Sequence, residues 1–299
     1  MGVLKTFLSM LSISTIMLIA ACGTADDTEQ QEASQGDTEE TEETANGEDT
    51  LWQDVQEAGK LVVGTSGTYA PVTFHDESNE LTGFDVEMMR EIGERLGVEV
   101  EFSTMDFDGI LPALRNGQID IASNDFAITE EREEIFTFTE PYKFSYGSVI
   151  VRSDDLDRFE SAHDLEGVPV ALGSLTSNYA IFAENIGADG TAYDGGVDAI
   201  LRDIINENQD AYLNDVLVLH RTLEGFGDER LAVADQVKFH ATESAFPMLK
   251  GNYSLKEVID EVLQEMKEDG TVAELSQEFF GADASQPVDQ GEVVSLEGN

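Results

Sequence analysis

The chain has 299 residues, of which 62 are Asp or Glu and 16 are Lys or Arg, for a formal net charge of −46. The resulting negative electrostatic field repels nucleic acid and anionic membrane surfaces. Neither is therefore an expected partner. The acidic excess is spread along the whole chain, and we interpret it as a solvated surface adapted to high salt or alkaline surroundings. Cys22 is the single cysteine, so a folded domain outside the cell would be held by its core and not by a disulfide.

Residues 1–21 have the layout of a secretory signal. Lys5 precedes a long apolar run that ends in small residues directly before Cys22. This junction resembles the lipobox of bacterial lipoproteins, in which the cysteine receives a diacylglyceryl group, and two acyl chains suffice for lasting membrane attachment. The alternatives are a plain signal peptide and an uncleaved anchor. We expect a mature protein tethered through Cys22 to the extracellular face of the cytoplasmic membrane.

Two segments lack the residues needed for a core. Residues 22–50 contain no aromatic and no large aliphatic side chain and are dominated by acidic and small polar residues. This composition predicts a disordered, self-repelling acidic tether. Residues 284–299 are predicted to form a flexible tail.

From residue 51 onward, short apolar strands alternate with amphipathic helices, the pattern of α/β domains built from βαβ units. Asp85 is predicted to cap a helix that ends at Gly97. Asp108 is predicted to cap the next helix, which keeps Pro112 in the first turn. The strands predicted in this part are Leu61–Val63, Val98–Phe102 and Ile119–Ile121.

The alternation restarts near residue 168 and closes with two helices. Ser254 with Glu257, and Thr271 with Glu274, have the spacing of capping boxes at the starts of these helices, and Gly270 separates them. The earlier predicted elements are a strand at 168–172, helices at 177–185 and 197–205, and a strand at 211–213.

The stretch from Ser123 to Arg132 follows a predicted strand and enters a short helix that Thr129 is expected to cap. Unpaired backbone amides beside a guanidinium suit a carboxylate ligand. The alternative for Arg132 is a surface ion pair with Glu130 or Glu133.

Three groups of motifs, in this order and spacing, carry a family resemblance from about Leu51 to Asp283. The chain resembles family 3 of the bacterial solute-binding proteins, and its loops at 64–69 and 174–179 are most similar to the cystine-binding branch. The motifs are Gly83–Met88, then Ile128–Arg132 with Phe138–Tyr142, and finally Asp269–Thr271 with Phe280–Gly281.

The resemblance implies an α/β fold of the two-lobed, periplasmic-binding-protein type (type II), with two crossing hinge strands. Lobe 1 would comprise residues 51–145 and 241–283, and lobe 2 would comprise residues 146–240. The ligand would be enclosed between the lobes.

The resemblance also implies roles at the two ends of a zwitterionic ligand. Arg132 would clamp the α-carboxylate, helped by backbone amides near Ala127 in one lobe and at Leu175 and Thr176 in the other. Asp215 would receive the α-ammonium group. The alternative for Asp215 is a helix cap for residues 216–223, and both roles are compatible.

The ligand side chain would lie between the aromatic rings of Tyr69 and Phe107, although core packing is the alternative for single aromatic residues. Ser66 and Thr129 are expected to line the same pocket. Asp125 departs from the family, which usually has a small or uncharged residue there. An acidic side chain at this position favours a ligand with an extra positive charge.

These inferences predict the substrate-binding component of an ABC importer for a polar amino acid, cystine or a related one, acting as a monomer with a membrane permease. No metal or cofactor is expected, because the histidines lack a helical ligand spacing. Catalysis is not expected, because neither a phosphate-binding P-loop nor a nucleophile elbow is present. The rival functions are an enzyme on the same scaffold, of dehydratase or cell-wall lytic type, and a ligand-sensing domain. The four histidines are His75, His163, His220 and His240.

Overall fold

The computed structural model of the chain describes residues 49–193, 196–288 and 293–295. The predicted signal segment, Cys22 and nearly all of the predicted tether lie outside the described residues, so those predictions stay predictions.

Fourteen strands are assigned within the described residues. They are β1 Lys60–Thr65, β2 Thr68–Tyr69, β3 Thr73–His75, β4 Leu81–Thr82, β5 Glu99–Thr104, β6 Ile121–Ala122, β7 Phe136–Phe138, β8 Lys143–Arg152, β9 Pro169–Leu172, β10 Asp189–Ala192, β11 Ala211–Asp215, β12 Leu231–Val233, β13 Phe239–Ser244 and β14 Pro247–Leu249.

Nine α-helices connect these strands in the same part of the chain. They are α1 Leu51–Ala58, α2 Phe84–Leu96, α3 Phe107–Arg115, α4 Glu130–Glu133, α5 Asn178–Ile186, α6 Val197–Ile205, α7 Val216–Phe226, α8 Tyr253–Glu268 and α9 Thr271–Phe280. Two short 3₁₀ turns lie at Ser153–Arg158 and Ala162–Leu165.

Two separate sheets give the molecule its two lobes. In the first sheet, β1 lies between β5 and β6, and all three strands are parallel. In the second sheet the order is β10, β9, β11, β8, β12, with β9 parallel to both of its neighbours and β8 antiparallel to β11 and β12. Parallel pairs joined through helices are the βαβ arrangement that the sequence pattern predicts.

The strands β8 and β13 form an antiparallel pair that joins the two lobes, with Ser244 opposite Lys143 and Phe239 opposite Gly147. A bulge between Phe239 and Ala241 shifts the register. Gly147 is needed at this position, since a Cβ atom there would lie 2.3 Å from the Phe239 ring. The predicted two-lobed fold with two crossing strands is confirmed.

Each lobe has its own apolar core. The first core draws on both ends of the described chain, because Phe84 and Met88 of α2 pack with Ile259 of α8 and Phe280 of α9. The second core uses residues between 149 and 239. Burial on this scale is the main stabilising contribution in each lobe. The lobe boundaries at 145/146 and 240/241 stay a prediction.

One predicted helix cap is correct, and those at Asp85 and Asp108 are wrong. Thr129 accepts the capping hydrogen bond that the sequence predicts, and Ser177, predicted as the first residue of its helix, is the N-cap of that helix. Helix α2 begins before Asp85, with Gly83 at its N-cap. Helix α3 begins at Phe107, so Asp108 is not its cap and Pro112 lies inside the helix.

Both predicted capping boxes are wrong. Helix α8 has Asn252 at its N-cap, and α9 has Gly270 there. The Ser254 hydroxyl donates to Asp49 at 2.7 Å, and the Thr271 hydroxyl donates to Asp269 at 2.6 Å. A nearby carboxylate is a stronger acceptor for a hydroxyl than a neutral group. Each hydroxyl therefore binds an aspartate that lies outside the helix and does not cap the helix.

Residues 284–288 and 293–295 of the predicted flexible tail are described, and the flexibility of the tail stays a prediction. Ala284 is buried, and its carbonyl accepts the amide of Phe144 at 2.8 Å. Val294 pairs beside Phe239, where it donates to Lys238 and accepts from His240. Ala284 therefore contacts β8, and Val294 contacts the crossing strand β13.

Candidate ligand-binding cleft

Arg132 lies on α4 and forms no ion pair with an acidic side chain in the part of the chain that the structure describes. Its Nη1 donates to the carbonyl of Ala127 at 2.8 Å, and its guanidinium lies 5.5 Å from the centre of the Phe126 ring. Among the described residues, no carboxylate lies within ion-pairing distance of it, so the alternative of a surface pair with Glu130 or Glu133 is wrong. Burial lowers the pKa of Arg132, a cost that an anionic ligand would offset.

Ala127 presents backbone groups on the same side as Arg132. It lies opposite Ser244 in an isolated antiparallel bridge, whose hydrogen bonds are made by Ile128 with Glu243 and by Ala245 with Phe126. In such a pair the central residue turns both its N–H and its C=O away from the partner strand. The carbonyl of Ala127 accepts from Arg132, so its amide lies on the guanidinium side.

Aromatic residues flank this position. Phe107 stacks on Phe126 with ring centres 5.3 Å apart and planes 18° apart, and the Phe126 ring lies against the guanidinium of Arg132. Tyr69 donates its hydroxyl to Asn214 at 2.7 Å. Ser66 is buried behind them and donates its amide to Asn124.

Asp215 ends β11 and performs the helix-capping role expected of it. Its Oδ1 accepts the amides of Leu217 and Val218, at 2.9 and 3.3 Å. Its Oδ2 accepts from Lys143 Nζ at 2.6 Å, and both side chains are fully buried. The cap therefore coexists with a second, charged contact.

Asp125 contacts the same lysine. Lys143 Nζ lies 3.1 and 3.0 Å from its two carboxylate oxygens, and the Ser244 hydroxyl donates to Oδ1 at 2.5 Å. Burial favours loss of the lysine proton, but the two carboxylates hold the pKa of Lys143 above its ordinary value. The positive charge that Asp125 faces thus belongs to the protein. The expectation of an extra positive charge on the ligand loses its basis.

The family signature at Gly83–Met88 positions Asp125. Asp85 Oδ2 accepts the Asp125 amide at 2.7 Å and the Tyr142 hydroxyl at 2.9 Å, which fixes Asp125 at a φ of 55°. Burial, together with the charge of Asp125, raises the pKa of Asp85 to about 7. Gly83 is required beside it, because a Cβ atom there would meet the carbonyl of Val72 at 2.4 Å.

Direct contacts cross the cleft between the lobes. The hydroxyls of Ser174 and Thr176 both donate to Asp108 Oδ1, at 2.6 and 2.7 Å. The amide of Thr176 donates to Ser174 Oγ at 3.0 Å in this conformation, and its contact with a ligand carboxylate stays a prediction. Leu175 is 63% exposed. The described cleft is therefore closed.

Sequence reasoning missed Lys143 and Tyr179. Burial raises the pKa of Tyr179 well above its ordinary value, and the charges of Asp215 and Asp125 add to the effect. Tyr179 also acts on the pKa of Arg132, so it lies near both ends of the predicted site. The one available signal for Lys143 was a cation at the start of the long strand β8, directly after the second family motif.

Other features of the described residues do not compete with this site. A cavity of about 710 Å³ lies between the loop at Tyr69 and helices α6 and α7. A search of the described helices finds none with the length and apolar character of a membrane span. The same part of the chain contains no group of three His, Cys, Asp or Glu side chains placed to hold a metal ion.

The fold and the site together define a class: a two-lobed binding protein whose cleft has an unpaired guanidinium at one end and carboxylates at the other. The model of the bacterial extracellular solute-binding proteins, family 3, matches residues 61–282. The chain belongs to this family, whose members act outside the cytoplasmic membrane.

A probable ABC transporter extracellular-binding protein of Bacillus subtilis, YckB, is 40% identical over 250 residues, which are 82% of this chain and 87% of YckB. The crystal structure of YckB superposes with a TM-score of 0.70 at 39% identity, over 82% of this chain and 99% of that one.

Two further solved structures are similar. The substrate-binding protein AbpA of Streptococcus pneumoniae, bound to L-arginine, has a TM-score of 0.69 at 28% identity, over 78% of this chain and all of AbpA. The L-cystine receptor of Neisseria gonorrhoeae, unliganded and open, has a TM-score of 0.58 at 33% identity, over 79% of this chain and 99% of the receptor.

Proposed function

We propose that this protein captures a polar amino acid between its lobes and presents it to the membrane permease of an ABC importer. Arg132 and the Ala127 amide bind the α-carboxylate, and Asp215 receives the α-ammonium group. Tyr69 and Phe107 contact the ligand side chain, whose fit also depends on Ser66, Thr129 and the loop at Leu175. The protein works as a monomer and returns its ligand unchanged.

The observation that carries the proposal is the partly buried guanidinium of Arg132, which has no carboxylate partner among the described residues. A charge held partly out of water without an ionic partner is costly, and a ligand carboxylate would remove that cost. Ala127, whose carbonyl accepts from Arg132, lies opposite Ser244, and the Ser244 hydroxyl donates to Asp125, so opposite charges share one neighbourhood. This arrangement suits a zwitterion.

Cystine, or an amino acid related to it, is the ligand that the comparisons favour. The gonococcal relative is an L-cystine receptor, while the pneumococcal one was solved with L-arginine. Lys143 neutralises part of the acidic end, which favours a ligand without a second cation there over a diamino acid.

The proposed location is the outer face of the cytoplasmic membrane, with Cys22 carrying the lipid. Its support is the apolar segment that ends in small residues immediately before the chain's single cysteine. Replacing Cys22 with Ser should release the protein from the membrane fraction into the medium, whereas the wild type stays with the membrane.

Titration calorimetry with L-cystine, L-glutamine, L-arginine and other common amino acids tests the function. We expect saturable binding of at least one of them and recovery of that ligand unchanged by chromatography. Absence of heat with the whole panel, or conversion of the ligand, would contradict the proposal. A thermal-shift screen with the same panel provides a second readout, because a ligand that binds only the folded state raises the melting temperature.

A further inference from the structure

Lys143 is a buried cation placed between the two acidic side chains at one end of the cleft. It contacts both oxygens of Asp125 and one oxygen of Asp215, and all three side chains are at least 95% buried. Two negative charges and one positive charge leave this end of the cleft with a net charge of one negative unit.

The cluster is held entirely by the protein. Asp215 Oδ1 is fixed by two amides of α7, while Asp125 is fixed by Ser244 through its side chain and by Asp85 through its amide. Two carboxylates that share one site repel each other unless a cation or a proton lies between them. Lys143 supplies that cation, so both carboxylates stay charged in fixed positions.

We propose that Lys143 is a specificity-determining residue that limits the ammonium subsite to one net negative charge. The subsite then accepts amino acids that bring a single ammonium group to this end and disfavours those that bring two. This inference rests on the proposed function, in which Asp215 receives the α-ammonium group.

The charges of a bound zwitterion would then balance at both ends. Arg132 faces the carboxylate, and the cluster of Asp125, Lys143 and Asp215 faces the ammonium group. Removing the charge of Asp125 alone leaves the cluster neutral, so the ammonium group loses its net attraction. Removing Lys143 alone leaves two negative charges, which attract a second cation.

A double-mutant cycle tests this charge balance, with L-cystine, L-glutamine and L-arginine as calorimetric probes. We expect Asp125→Asn to weaken binding of the preferred probe at least tenfold, as loss of a buried charge partner does. Adding Lys143→Met to Asp125→Asn should restore affinity to within about threefold of the wild type, since the net charge is again one negative unit. If the double variant binds no more tightly than Asp125→Asn, the inference is wrong.

The single variant Lys143→Met tests specificity. We expect it to bind L-2,4-diaminobutyrate, which carries two ammonium groups close together, at least tenfold more tightly than the wild type does. No gain would overturn the specificity role. Lys60→Met is the matched control, because Lys60 makes an exposed ion pair with Glu101 far from the cleft, and it should leave every affinity unchanged.

Two results separate the possible failures. Wild-type protein that binds no amino acid contradicts the proposed function itself, whereas wild-type binding without rescue in the double variant contradicts only the role of Lys143. If Lys143→Met alone does not fold, the double variant still tests the inference. It removes one charge of each sign, so fewer buried carboxylates lack a cation than in Lys143→Met.

Discussion

The two ends of the cleft hold their charges in opposite ways. At one end, the Arg132 guanidinium contacts a backbone carbonyl and an aromatic ring, and no carboxylate of the described chain pairs with it. At the other end, Lys143 lies between Asp125 and Asp215 and offsets one of their two negative charges. A ligand carboxylate would stabilise the first end, whereas contacts within the protein hold the second end in place without a ligand. Substitutions at the first end should therefore lower ligand affinity, and substitutions at the second end should lower the free energy of unfolding.

The largest effect is expected at the paired end, on stability. Asp215→Asn keeps an acceptor for the amides of Leu217 and Val218 but removes the charge that faces Lys143. Breaking a buried ion pair by removing one partner costs about 3 kcal/mol, so the free energy of unfolding should fall by that amount. Urea unfolding followed by circular dichroism measures it.

Asp235→Asn is the control for this variant. Asp235 pairs with His220 at the surface, where both side chains are more than half exposed, and such pairs contribute little. Equal stability losses in Asp215→Asn and Asp235→Asn would show that the cluster at the paired end does not stabilise the fold.

The next largest effect is expected at the unpaired end, on binding. Arg132→Gln removes the charge but retains a donor for the Ala127 carbonyl, so the unfolding free energy should change little. Affinity for the amino acid should fall by about 100-fold, or about 3 kcal/mol, because the ligand carboxylate loses its charged partner. Calorimetry measures the loss. The exposed Arg115, changed to Gln, is the control, and unchanged affinity in Arg132→Gln would refute the assignment of this end.

Local chemistry made part of the site predictable from the sequence. Thr129, Ser177 and Asp215 each precede a helix and have side chains that reach the next few amides, so their capping roles follow from short-range spacing. Arg132 was identifiable from its motif, and the family resemblance indicated the lobes. The sequence pattern also predicted the bounds of α6 correctly.

Contacts between distant residues were not predictable in this way. Lys143 and Asp215 are 72 positions apart, and only the tertiary fold brings them together. Asp85 has the local pattern of a helix cap, yet its side chain turns inward to the amide of Asp125, 40 positions later. The capping boxes failed for a related reason, because Ser254 found Asp49, 205 positions away. The spacing of residues along a helix does not reveal a hydrogen-bond partner from a distant part of the chain that competes with the helix cap.

A smaller effect is expected from pH, through Asp85, which faces Asp125, Tyr142 and Lys143. Its pKa is raised from 3.8 to about 7 in the folded protein, so the folded state retains a proton that the unfolded state has already released. Stability contributed by this group is therefore greatest at low pH and is lost as the pH rises to about 7. Asp85→Asn should remove this loss, since the amide oxygen still accepts from Asp125 and Tyr142.

Urea unfolding at several pH values measures the difference between wild type and Asp85→Asn. We expect the variant to gain stability relative to the wild type as the pH rises from about 5 to about 7. Asp154→Asn, at an exposed position, controls for the removal of one acidic charge. Parallel pH profiles for the wild type and Asp85→Asn would mean that Asp85 does not carry the extra proton.

The smallest effect is expected from Asp108, which lies at the rim of the cleft and belongs to neither end. Its carboxylate accepts from Ser174 and Thr176 of the opposite lobe, so it favours the closed conformation before any ligand arrives. Because the site is exposed, the two hydrogen bonds should contribute about 1 kcal/mol together, and Asp108→Ala should weaken amino-acid binding about fivefold. Small-angle X-ray scattering of the unliganded variant should show a larger radius of gyration than the wild type. Asp106→Ala, one residue before α3 and without a side-chain capping bond, is the control. If Asp108→Ala keeps both the wild-type affinity and the wild-type radius, closure depends on the paired cluster and the ligand alone, and the rim contacts merely accompany it.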